Sequence, residues 1–145
     1  MKGMSIIVKK VSQLMAGLIF MYGIYIILHG HLTPGGGFAG GAIIAGAFIL
    51  LILAFGSNAL NLKKEIAGSS NTESLAVLMV VVLALMALLF GSKTFFFNYL
   101  PKGEPGALLS AGVIPLYNIF IGIEVAGAIL TIFLALVIFK EESSK

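Results

Sequence analysis

Four long apolar runs, separated by short polar connectors, dominate the hydrophobic pattern of this chain. They extend from Val11 to Leu28, from Phe38 to Phe55, from Leu75 to Phe90 with an aromatic continuation "TFFFNYL", and from Ile114 to Phe139. A helix needs roughly 17–25 apolar residues to cross a hydrocarbon core of about 30 Å, and each run approaches or exceeds that length. Strand-like alternation is absent, and an open sheet would strand its backbone groups in lipid. The pattern therefore predicts an all-α integral membrane protein, one domain over 1–145, with four transmembrane helices at about 11–28, 38–55, 75–97 and 114–139. In "SSNTE", Ser70 reads as an N-cap with Glu73 three residues on, opening the third helix.

Composition strengthens this reading. The 145 residues are 59% hydrophobic and 10% charged, well below the quarter that soluble domains carry. There is no cysteine, and neither arginine nor aspartate occurs. Thiolate metal sites and guanidinium phosphate clamps are thus excluded. The net charge of +3 comes from lysines near the run ends, which suits membrane flanks better than nucleic acid. With the N-terminus inside, Lys2, Lys9, Lys10, Lys63, Lys64, Lys140 and Lys145 face inward, against only Lys93 and Lys102 outside. The lysine bias predicts an N-in, C-in, multi-pass protein of the plasma membrane. "LHGHLTPGG" is a poor cleavage site, so the first run reads as a helix rather than a signal peptide.

The first connector, "HGHLTPGGGFAGG", is the most unusual stretch. Its GxGxxG match lacks the preceding strand and following acid that a dinucleotide site needs. His29 and His31 cannot complete a metal set, so no metal and no cofactor is expected. The pair either closes the end of the first helix or takes part in proton transfer. Thr33 reads as an N-cap and Pro34 as the first residue of the second helix. Gly35 and the glycines after it suit close helix packing, in the chain or with another subunit, with Gly36 and Gly40 forming one GxxxG pair and Gly37 and Gly41 another. An unwound, ion-lining segment is a compatible alternative.

Glu124 is the one acid inside an apolar run. A carboxylate there costs about 2.5–3.5 kcal/mol on insertion scales and needs a partner, water or a proton. Tyr117, Glu124, Gly127, Ala128 and Thr131 share one side of the last helix by spacing, and Asn118, Gly122 and Ala126 form a second small row. Glu124, with Tyr117 and Thr131 beside it and His29 and His31 at the water boundary, is an ion-path candidate; a structural acid fixing an interface is the alternative. No nucleophile–base pair or cofactor loop points to an enzyme.

The glycine motif, the four-run layout, the Pro-Gly connector and "IPLYNIFIGIEVAGAI" with its buried acid resemble the MnhB/MrpB family over essentially the whole chain. The resemblance implies the small B subunit of a multisubunit sodium/proton antiporter, a non-catalytic transport subunit whose partners are other membrane subunits and the lipid bilayer. Related modules occur in archaeal membrane-bound hydrogenases and sulfur-reducing complexes, which makes a redox-driven complex the alternative. A stand-alone small channel or exporter is a further alternative of a different class.

Overall fold

A computed structural model describes residues 3–56 and 62–143 and contains four helices: α1 (Ile6–Leu28), α2 (Gly37–Phe55), α3 (Leu62–Leu89) and α4 (Ile114–Ser143). All four have stretches long and apolar enough to cross a membrane, and the described residues form no strand. Lys2, Lys145 and the segment 57–61 lie outside the described residues.

Three helix starts differ from the sequence reading. α1 begins before Val11 because Ser5 caps it, its hydroxyl accepting from the Val8 amide at 3.4 Å. Lys9 is thereby part of the helix, its ammonium 5.5 Å from the Phe55 ring centroid. Thr33 and Pro34 do not start α2. The Thr33 hydroxyl donates back to the His29 carbonyl at 3.2 Å, closing α1, and Gly36 (φ 94°) is the N-cap of α2.

The third difference is the largest. α3 begins at Leu62, so Ser70 lies inside the helix rather than at its cap. The polar residues are compatible with helix because their hydroxyls bond to carbonyls one turn back: Thr72 to Gly68 at 2.7 Å and Ser74 to Ser70 at 3.0 Å. α3 stops at Leu89, not Phe97. Gly91 takes φ 81°, its amide donates to the Leu88 carbonyl, and the Ser92 amide donates to the Ala87 carbonyl. This paired closure is the Schellman motif, which glycine permits at no steric penalty.

In space the helices run α1, α2, α4, α3, with α2 packed on both α1 and α4, and α3 packed on α4. Glycines set these contacts. A Cβ on Gly23 of α1 would lie 3.0 Å from the Gly40 carbonyl oxygen of α2. A Cβ on Gly41 would lie 2.5 Å from the Gly122 carbonyl oxygen and 3.0 Å from Cβ of Val125, both on α4. The two GxxxG rows therefore serve different neighbours: Gly40 faces α1, while Gly37 and Gly41 face α4. Lipid supplies no hydrophobic drive for helix association, so such close packing carries it.

Gly41→Leu is expected to destabilise the bundle by about 1–3 kcal/mol or more, since its new atoms meet backbone. Gly46→Leu should behave like the unsubstituted protein, because nothing lies within 4 Å of a Cβ there. Thermal aggregation followed by size-exclusion chromatography in detergent checks the pair.

Candidate functional site

The α3–α4 contact brings polar chemistry into the bundle. The buried Ser69 hydroxyl donates to the Gly127 carbonyl at 2.8 Å. Gly127 is halfway along the apolar span Ile114–Lys140, so Ser69 lies level with the middle of that span. The polar turns of α3 from Glu65 onward, read from sequence as a connector, thus belong to the apolar span Glu65–Leu89. Glu73, one turn beyond Ser69, packs beside Gly127: a Cβ on Gly127 would lie 3.3 Å from the Glu73 Cβ.

Glu124 precedes Gly127 by one turn, at the level of Glu73, because α3 and α4 run antiparallel. Both carboxylates are half-buried. Sequence reasoning left Glu124 alone at mid-depth; the structure gives it a second acid at the same level on the neighbouring helix. Neither α4 before Lys140 nor α3 after Lys64 carries a lysine. Tyr117 and Thr131 extend the Glu124 stripe by two turns on either side. The Tyr117 hydroxyl and the Thr131 hydroxyl are both enclosed without a hydrogen-bond partner among the described residues. An orphaned buried polar group costs about 1–3 kcal/mol, so each calls for water or a group from a neighbour. The other α4 row separates from this stripe: Asn118 and Gly122 meet α2, and Gly127 meets α3.

At the loop end of the bundle the two histidines have different partners. His29 Nδ1 is 3.0 Å from the Tyr25 carbonyl oxygen and its ring stacks on Tyr25 at 4.1 Å, finishing α1. His31 Nε2 lies 3.5 Å from the Ala107 carbonyl oxygen, joining the first connector to the last, while its Nδ1 is enclosed and unpartnered. Asn118, read from sequence only as part of a small packing row, meets the first connector. Its amide sits against the glycine turn, 2.8 Å from where a Gly30 Cβ would be and 3.5 Å from a Gly36 Cβ. Its Nδ2 is likewise enclosed without a partner. Asn98 orders the second connector, donating to the Ala111 carbonyl at 3.4 Å and accepting from the Val113 amide at 3.2 Å at the start of α4. Phe96, at φ 58°, places its ring 5.5 Å from that of Tyr117.

A second feature occupies the opposite flank of the α3–α4 seam. A trough of about 590 Å³ is floored by α4 and walled by α1 and α2 on one side and α3 on the other. A further 340 Å³ continues it toward Phe55, sharing Phe48, Glu65 and Leu130. Glu124, Tyr117 and Thr131 line neither part.

Comparison with known proteins places this architecture. Residues 7–131 match the model of a domain related to the MnhB subunit of Na+/H+ antiporters. The antiporter subunit mnhB2 of Staphylococcus haemolyticus is 31% identical over 141 residues, covering 94% of this chain and 96% of that protein. The uncharacterized protein MJ1307 of Methanocaldococcus jannaschii is 36% identical over 132 residues, covering 86% of this chain; the match spans about half (49%) of that relative's length. Among solved structures, a chain of the membrane-bound sulfane sulfur reductase, an archaeal respiratory membrane complex, superposes with a TM-score of 0.73 at 33% identity. That match covers 92% of this chain and 58% of the other.

Ser69→Ala is expected to lower the thermal midpoint in detergent by the equivalent of about 0.6–1.7 kcal/mol, the range of interhelical hydrogen bonds in membranes. Ser69→Thr, which retains the hydroxyl, should lose less. A differential scanning fluorimetry series on the purified assembly reads the difference.

Proposed function

The chain belongs to the MnhB family, and from that premise we propose that it is a non-catalytic accessory subunit of a multisubunit sodium/proton antiporter module in the plasma membrane. The observation that carries the proposal is the family match over residues 7–131, with mnhB2 relatives aligned along nearly the whole chain. The geometry supports a supporting role. Between the charged flanks, α3 and α4 offer carboxylates and hydroxyls but no lysine, so the described chain supplies one side of a path rather than a complete one.

In this reading Glu124 is the ion-path acid, with Glu73 at its level and Tyr117 and Thr131 along the same flank. Two acids at one depth on neighbouring helices offer acceptor oxygens to a cation within the bilayer, where such groups are costly unless they have a partner. His31 and His29 stand at the loop end, where a proton would enter or leave. Gly35, Gly36, Gly37, Gly40 and Gly41, with Gly122 and Gly127, hold the helices close enough for this arrangement. Lys9, Lys10 and Lys140 at the terminal end, against Lys93 and Lys102 at the loop end, support an N-in, C-in orientation.

A second reading, the same module inside a redox-driven ion-pumping complex, is favoured by the likeness to the sulfane sulfur reductase chain. Mild-detergent purification of the tagged chain separates the two. Antiporter subunits alone as companions support the first reading, and iron–sulfur or nickel-enzyme subunits support the second. A homo-oligomer without companions contradicts both.

Glu124→Gln is expected to lower sodium-dependent proton flux in inverted vesicles severalfold without releasing the chain from its companions. Glu73→Gln should have the same sign. Unchanged flux in both variants would leave the two acids structural.

A further inference from the structure

We propose that the trough between α1/α2 and α3 is the seat of one transmembrane helix of a sibling subunit, and that this helix brings a lysine or arginine to Glu65. The inference rests on the reading that the chain works within a complex. The shape of the trough is the first support. Its lining reaches from Leu28, the last residue of α1, to Phe55, the last residue of α2, so it runs the height of the bundle. The floor on α4 alternates large and small side chains, and Gly122, Ala126 and Gly127 between Ile119, Ile123 and Leu130 let another helix approach along its middle. On the α3 wall Gly68 has nothing within 4 Å of a Cβ position, which lets a backbone approach.

The chemistry of the α3 wall selects the occupant. One turn apart along α3, Glu65, Gly68 or Ser69, and Thr72 face the trough, while the opposite wall is Phe20, Ile24, Ile44 and Phe48. The hydroxyl donors on the wall are already used. Ser69 donates to Gly127 and Thr72 donates to Gly68. What remains is the exposed carboxyl group of Glu65, which accepts, and among the described residues no lysine lines either part of the trough. Glu65 lies level with Leu51 and Ile52, a turn short of the end of α2, and so inside the apolar span of its neighbours. An acyl chain would leave that carboxylate without a partner in hydrocarbon, and an anionic headgroup would repel it. A cationic side chain on an otherwise apolar helix satisfies both the carboxylate and the aromatic wall.

The absence of cysteine makes the test direct. Thr72→Cys, in the trough, and Leu78→Cys, on the exposed face of α3, are each labelled with a maleimide-benzophenone in native membranes and irradiated. The Thr72 label is expected to capture a transmembrane peptide of a sibling subunit that contains a lysine or arginine, and the Leu78 label is not. In parallel, Glu65→Lys is expected to reduce sibling recovery at least about tenfold, the scale of a disrupted desolvated charge pair, with Glu65→Asp retaining it. If Glu65→Lys fails to accumulate, Glu65→Gln and the cross-link in the Thr72→Cys chain decide. Adducts from Thr72 to lipid or to a second copy of this chain, with siblings still recovered, would overturn the proposal and leave the subunit reading intact. A chain purified without any sibling would overturn both.

Discussion

The packing of a polar half-helix against the middle of α4 is the constraint from which the functional geometry follows. A stretch such as "KKEIAGSSNTES" belongs by composition in water. Here it is the first half of α3, joined to α4 by the hydrogen bond from Ser69 to the Gly127 carbonyl. That one contact fixes the level of Glu73 next to Glu124, and it fixes Glu65 one to two turns toward the terminal end. It also divides the surroundings of α4. One flank of the seam carries the carboxylates with Tyr117 and Thr131, and the other carries the trough.

The contact depends in turn on the absence of side chains where helices cross. Gly127 admits the Ser69 and Glu73 backbone, Gly122 admits α2 and the Ile27 side chain of α1, and Gly40 admits Gly23. Interiors tolerate neither added nor missing volume without cost, and in lipid, where burial of apolar area contributes little, the packing contacts themselves hold the bundle. The helices thus meet through backbone and small groups, while the large apolar side chains, among them Ile7, Leu14, Leu78 and Phe139, remain on the outside. Such an outside suits lipid and sibling subunits, as expected of a family that functions in assemblies.

Much of the fold was legible in the sequence because bilayer thickness dictates the length of apolar runs. Val11–Leu28, Phe38–Phe55 and Ile114–Phe139 mark three of the spans to within a few residues at most ends. The glycine rows were read as packing surfaces without a named neighbour; in the structure Gly40 meets α1 and Gly41 meets α4. The misreadings share one cause. Local polarity was taken as a boundary at 62–74, but hydroxyls that bond one turn back keep a helix intact, and depth is set by the tertiary partner. Thr33 failed as an N-cap for a related reason: its hydroxyl serves the end of α1 rather than the start of α2. Glu73, read as a capping acid, and Asn118, read as part of a small row, were given local roles because their contacts join elements distant in sequence, for which periodicity along one helix holds no signal.

The most direct test of the central claim is a distance between α3 and α4 in the membrane. Glu73 and Gly127 approach closely enough that cysteines there would have Cβ atoms about 3.3 Å apart, near the 3.5–4.5 Å of disulfides. In this cysteine-free chain, the double variant Glu73→Cys, Gly127→Cys is predicted to form an intramolecular disulfide on mild oxidation in membranes. Each thiol of the double variant should then be protected from maleimide. Two freely reactive thiols, in a double variant still assembled with its companions, would place the polar turns of α3 in water and contradict the account.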